Sequence, residues 1–427
     1  MLRTIVSGQP DFEPQLELLC QRAGVLPEAV QASAAAIVAE VRRNGDRALF
    51  ELTARFEKRE LRAVELPQRE WLASAATVSP EIGHDIAEAA ARIRDYHRRE
   101  RYVSFEQRAD GVRLSCRYSP LARVGIYVPG GTALYPSTVL MTAVPAKVAG
   151  VGEIIMATPG PSPETLAAAR EAGVDRIFLL GGAQAIAALA YGTESVPRVD
   201  KIVGPGNAYV AAAKRLVYGD VGVDMIAGPT EVVIAADGSA NPAWVAADLI
   251  AQAEHDVLAV PILVAVGLEV AQRVGAELDR QVAELPRRAI AAKALAEHGV
   301  ALVVDDPASA IAIVNRLAPE HAGIVLADAA VWADKVVAAG AVFVGEYACE
   351  ALGDYFAGPS HVLPTGGSAR FSSPLGVGDF VKRTSFIEYT PAALARQAPA
   401  VARLALVEGL SGHARAVRLR MGSDTGS

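Results

Sequence analysis

Cysteine is scarce: Cys20, Cys116 and Cys349 are the three in 427 residues. Their spacing makes no CxxC pair, which excludes a disulfide framework and a thiolate zinc site and points to a reducing, cytoplasmic setting. An excess of positive charge is also missing. With 41 Lys and Arg against 48 Asp and Glu, the net charge of −7 argues against a surface devoted to nucleic acid or anionic lipid. No uninterrupted apolar run reaches the roughly 20 residues that cross a bilayer. The start, MLRTIVSGQPDFEP, lacks the apolar stretch of a secretory leader. There is no G-x-G-x-x-G, so a standard Rossmann phosphate loop is excluded, and no short-period repeat or low-complexity linker breaks the chain. What is present is apolar: 52 % hydrophobic against 21 % charged, in a length that suits two or three domains with buried cores.

The first 20 residues are polar and read as an N-terminal arm. From Glu28 to Arg101, apolar residues recur at three- and four-residue spacing in Ala-, Glu- and Arg-rich stretches, which predicts helices. After Arg123 short apolar runs alternate with helical ones, several runs ending in Gly or Pro. Ser162–Pro163, Asn241–Pro242 and Asp306–Pro307 each read as an N-cap followed by proline at the first helical position. Repeated strand–turn–helix units need right-handed crossovers and a parallel sheet covered by helices. The expected architecture is α/β: two parallel-sheet, incomplete Rossmann-like domains, one inserted in the other, with a small arm and a helical tail. The expected boundaries are 1–20 for the arm, 21–122 and 230–367 for the two parts of the first domain, 123–229 for the insert and 368–427 for the tail, whose two helices break at Gly409–Gly412.

Four settings carry chemistry among the seven histidines. Gln252 and His255, three apart in DLIAQAEHD, share a helix face and can grip one divalent cation; a solvated helix end reads the same way. Glu320 and His321 end the helix DPASAIAIVNRLAPEH and can act as paired proton acceptors, or simply complement the helix dipole. Asp354 and His361 lie in the Gly- and Pro-rich loop ALGDYFAGPSHVLPT, where a metal or substrate contact and a plain chain reversal both fit. Glu408 and His413 flank the helix break in the tail. His84, His97 and His298 sit in charged helices and read as surface residues. Three turns after successive strands, Tyr127–Pro129–Gly130–Gly131, Gly181–Gly182–Ala183–Gln184 and Gly204–Pro205–Gly206–Asn207, lie where open parallel sheets bind ligands, with helix N-termini offering free N–H groups to phosphates. The same glycines serve tight βα turns equally well.

Taken together and in order, GIYVPGG, STVLM, LLGGAQAIAALAYGT, GPGNAYVAAAKR, AGPTE, DLIAQAEHD, NRLAPEH, ALGDYFAGPSHVLPTGGSARFSSPLGV, DFVKRTS and EGLSGHARAVRLR resemble the histidinol dehydrogenase family, from about Arg42 to Arg420. The resemblance implies an NAD-dependent oxidation of L-histidinol to L-histidine by a homodimer whose tail is swapped between subunits, with one zinc per active site. It implies Gln252, His255, Asp354 and, from the other subunit, His413 as metal ligands, and Glu320 and His321 as proton handlers. It places Ser137, Thr230, His361 and Glu408 at the substrate, together with His321 and the four ligands, and Tyr127, Pro129, Gln184 and Asn207 near NAD on the inserted domain. Thr230 stands where Ser is common, Ser360 where Asn is common, Ala322 for a larger apolar residue and Ala348–Cys349 for a Thr–Pro pair; none removes an implied ligand. A related metal-dependent dehydrogenase acting on another polar alcohol is the nearest alternative, and a hydrolase or lyase using the same His, Glu and Asp set without NAD is the next.

Overall fold

The computed structural model describes residues 2–22, 26–130 and 135–422; Gly131 lies outside them. The chain divides into two compact units, Met1–Glu100 with Leu121–Phe380, and Arg101–Pro120 with Val381–Ser427. Among the described residues no helix is long and apolar enough to cross a membrane.

The first unit holds two six-stranded sheets. One is wholly parallel, in the order Arg3–Val6, Val300–Val304, Val260–Val266, Glu231–Ala236, His321–Val325, Ala341–Val344. Its central strands read as continuous apolar runs because both faces are covered. Val232, Ile234 and Ala236 enter one core, and Val233 and Ala235 the other, as a two-residue period requires. The second sheet runs Glu65–Leu66, Arg176–Phe178, Glu153–Ala157, Arg123–Tyr127, Lys201–Val203, Gly222–Val223, parallel except for its first strand. In each sheet a central strand comes first in sequence, the next two extend one side, and the following two extend the other. The three expected caps are made: Ser162 accepts from Thr165 N–H, Asn241 from Ala243 N–H and Asp306 from Ser309 N–H.

The expected division of the chain differs from this packing in two places. Helices within 28–97 pack on the 123–223 sheet and not on the 230–367 half: Ile37, Val41, Leu49 and Leu52 join one of its cores, Trp71, Ile86 and Ile93 the other. The polar arm instead supplies the edge strand Arg3–Val6 to the other sheet. The separate unit at the C-terminus begins at Val381 rather than Ser368. It is built on an antiparallel sheet, Val381–Tyr389, Val112–Pro120, Phe105–Ala109, followed by the helices Pro391–Val407 and Ser411–Arg420, which share a small core of Ala402, Ala405 and Ala414. Asp110 and Gly111 make its hairpin turn with φ of 49° and 79°, the positive pair that a tight two-residue turn demands.

Candidate active site

Two helices supply a donor cluster. Pro242–Ala253 carries Gln252, fully buried, near its end and His255, exposed, just beyond it. The short helix Glu350–Tyr355 carries Glu350 and Asp354 four residues apart, hence on one face; Asp354 was expected in a loop. One ligand atom each of His255, Glu350 and Asp354 lies within 4.8 Å of the others. Gln252 meets Glu350 directly, and its amide has two readings. As placed, its oxygen faces the Glu350 carboxylate, acceptor against acceptor, while its nitrogen contacts Thr230 Oγ1. Turned over, the nitrogen donates to Glu350 at 3.1 Å and the oxygen accepts from Glu231 N–H at 2.7 Å. The turned form suits a metal-free amide. The placed form leaves two oxygens facing each other, an arrangement that a cation satisfies. Oxygen and imidazole donors without sulfur suit zinc, manganese or cobalt, and the carboxyl end of the longer helix adds negative partial charge. The residues present therefore fit a divalent metal.

Next to this cluster stand the proton-handling residues. The helix expected to run through His321 stops at Leu317, because Pro319 cannot continue it, and Ala318 turns with φ 44°. His321 opens a strand, paired with Val232. Glu231 locks the corner: its carboxylate accepts from Glu320 N–H (3.2 Å), Gly366 N–H (3.1 Å) and the Arg22 guanidinium. Its carbonyl meets His321 Nδ1 at 3.2 Å. A carbonyl only accepts, so Nδ1 carries the hydrogen and Nε2 keeps a free lone pair. Burial pushes the His321 imidazole down to about 4, so the ring is neutral at neutral pH. Glu320 Oε2 accepts from Thr230 Oγ1 (2.7 Å) and Glu231 N–H (3.0 Å), yet burial outweighs these bonds and pushes its carboxyl up to about 8. Glu350 is also raised well above the usual range, by burial and then by Asp354, Glu320 and Asp248. His321 Nδ1 lies 3.7 Å from Glu320 and 3.9 Å from Glu350.

His361 closes the other side. Its Nδ1 lies 3.1 Å from the Asp354 carbonyl, and its Nε2 lies 3.4 Å from Thr138 Oγ1. Ser137 is half-buried one residue earlier, in the first turn of Pro136–Ala149; the hydroxyl that meets His361 is its neighbour's. Ser360 is buried, its hydroxyl donating to Met141 O at 3.1 Å. Gln252, His255, Glu320, His321, Asp354, His361 and Thr230 thus form one connected group. Glu408, which caps the helix Pro391–Val407, and His413, inside Ser411–Arg420, are both exposed and belong to the second unit.

The glycine turns occupy the carboxyl edge of the 123–223 sheet. Tyr127 ends one strand, with Pro129 two residues on; Gln184 and Asn207 stand at helix starts. Gly204, at φ 110°, packs so closely on the Tyr127 backbone that a Cβ would collide with its carbonyl oxygen. The helix N-termini are not free as expected. Glu57 accepts from Gly181 N–H and Gln184 Nε2, Tyr127 Oη accepts from Gly182 N–H, and Asn207 accepts from Tyr209 and Val210 N–H. The Tyr127 hydroxyl proton and the Asn207 amide hydrogens remain as donors for a nucleotide, so the row fits NAD through side chains more than through bare N–H groups.

Sequence reasoning missed Glu350, Glu231, Thr138 and Glu57. For Glu350 a signal existed, its four-residue spacing from Asp354. His97, expected at the surface, is buried, with Nδ1 2.7 Å from Glu100, because its face of the helix Pro80–His97 turns inward.

A sequence model of the histidinol dehydrogenase family matches residues 20–421. Histidinol dehydrogenase of Aromatoleum aromaticum is 48 % identical, with 98 % of both chains covered, and that of Synechococcus sp. is 50 % identical, with 99 % of both covered. The crystal structure of histidinol dehydrogenase from Elizabethkingia anophelis superposes with a TM-score of 0.92 at 34 % identity, covering 100 % of this chain and 99 % of that one. The chain belongs to the histidinol dehydrogenase family, NAD-dependent oxidoreductases of histidine biosynthesis.

Proposed function

We propose that this chain oxidises L-histidinol to L-histidine in two successive steps, holding L-histidinal between them. The observation that carries the reading is a neutral buried imidazole and a carboxylate titrating near neutrality, side by side against a cluster of metal donors. Bound NAD supplies the hydride acceptor for both oxidations, and a zinc held by Gln252, His255, Asp354 and the partner subunit's His413 supplies a charge for the substrate's nitrogen donors. His321 Nε2 takes the alcohol proton in the first oxidation. Glu320 then takes a proton from water as it adds to the aldehyde, giving a gem-diol. His321 takes the gem-diol hydroxyl proton as the second hydride leaves. A base with a pKa near the working pH is effective in such transfers, and burial is what moves Glu320 into that range.

Ser137, Thr230, His361 and Glu408 take the substrate contacts in this proposal, with a carboxylate at Glu408 suiting a cationic amino alcohol. Thr230 also links Glu320 to Gln252, which ties proton handling to the metal side. Tyr127, Pro129, Gln184 and Asn207 take the NAD contacts. A homodimer that shares its sites, and a cytoplasmic setting in which all three cysteines stay free, complete the reading. The test is the yield of NADH per histidinol consumed, with and without chelator. About two, abolished by chelator, follows from two hydride removals; turnover only with other polar alcohols contradicts the substrate assignment.

A further inference from the structure

We infer that Glu350 is itself a donor to the metal position, giving one protomer four ligands of its own: Gln252, His255, Glu350 and Asp354. The inference rests on the metal reading proposed above and adds to it a residue that reading does not use.

Three observations lead there. The first is geometric. Two helices present two pairs, Gln252 with His255 at a spacing of three and Glu350 with Asp354 at a spacing of four, and the ligand atoms of His255, Glu350 and Asp354 gather within 4.8 Å. The second is burial without a counter-ion. Glu350 is 4 % exposed, and among the described ion pairs it has no Lys or Arg partner. Its one potential cation is His321, 3.9 Å away, whose ring burial keeps neutral. A buried carboxylate with no positive partner is costly, and a metal ion removes that cost. The third is the Gln252 amide, whose oxygen as placed shares a position with a Glu350 oxygen and has no hydrogen between them. Two acceptors converge in this way when both are donors to the same cation.

Charge balance agrees. Gln252 and His255 are neutral, so Asp354 alone leaves a divalent ion with one uncompensated positive charge. Adding Glu350 brings the buried set to neutrality. The oxygen-rich result, three oxygens and one nitrogen from within a protomer, suits borderline divalent ions.

The test uses the full chain, stripped of metal and reloaded. Zinc affinity is measured by competition with a chromophoric chelator, and the ligand field by the visible absorption of the cobalt(II)-loaded protein. Glu350→Gln, which keeps size and removes charge, is expected to weaken zinc by roughly 100-fold and to shift the cobalt bands, as Asp354→Asn does. If Asp354→Asn and His255→Ala lose zinc while Glu350→Gln keeps its affinity, or weakens it with an unshifted cobalt spectrum, Glu350 is not a ligand although the metal reading stands. If none of the three substitutions changes zinc binding, the metal reading itself fails. Should Glu350→Gln fold poorly, Glu350→Asp withdraws the carboxylate by one methylene; weaker zinc with shifted cobalt bands is again expected, and unchanged values overturn the inference.

Discussion

The two sheets of the larger unit share a strand order and are used from opposite ends. On the 123–223 sheet, Tyr127, Gln184 and Asn207 stand at the carboxyl edge, where helices begin. On the other sheet, Thr230 and Glu320–His321 stand at the amino edge, where the helix carrying Gln252 ends. Helix starts carry positive partial charge and helix ends negative. One topology therefore offers a phosphate-friendly rim on one copy and a cation-friendly rim on the other. The lesson is that a fold does not fix where its chemistry sits; the edge chosen fixes which charge it welcomes.

That division is open to being broken. The largest effect is expected at the amino edge. His321→Ala should lower turnover by roughly 10²–10⁴-fold, the usual worth of a positioned base, while zinc content and NAD affinity stay as they were. A metal-free but folded His321→Ala protein, seen by elemental analysis, would sink the assignment of the ring as a base. Glu320→Gln should act on the second oxidation alone, so that NADH per histidinol drops from about two towards about one and an aldehyde accumulates for a carbonyl reagent to trap.

A smaller effect is expected at Thr230. Its hydroxyl bond lowers the Glu320 carboxyl pKa, so Thr230→Val should move the pH profile of the second step to higher pH. It should also cost about 1–3 kcal/mol in transition-state stabilisation through the unpaired buried carboxylate. A profile that stays put would show that the hydroxyl does not bear on Glu320.

The smallest effects concern stability in the metal-free protein. His321 is held to about 4 from an ordinary 6.5, so the unfolded chain binds its proton first. Its contribution is present above about 6.5 and lost as pH falls towards 4. Glu320, raised from 4.5 to about 8, runs the other way, with stability lost as pH rises towards 8. Thermal unfolding across pH should show both slopes, and Glu320→Gln should remove only the alkaline one.

Much of this was legible in the sequence. The strand–turn–helix alternation and the caps at Ser162, Asn241 and Asp306 marked two parallel sheets, because local hydrogen bonding decides helix starts. Which sheet the helices of 28–97 cover was not legible: an apolar stripe says that a face is buried, not against what. The hairpin about Asp110–Gly111 carried a readable turn signal that a search for helical spacing passes over. Glu231 looks like an ordinary polar residue at the start of an apolar strand; only folding shows that Arg22, 209 positions away, is its partner. Glu350 was hidden because six residues of helix set between a cysteine and a Gly-rich turn give too little period to show a face.

The most direct measurement is paired binding, zinc and NAD titrated separately into Asp354→Asn and Gly204→Ala proteins. Asp354→Asn should lose zinc and keep NAD. Gly204→Ala, whose added Cβ collides with the Tyr127 carbonyl, should lose NAD and keep zinc. If each substitution abolished both ligands in folded protein, or if Gly204→Ala released zinc and spared NAD, the assignment of one rim to each ligand would be wrong.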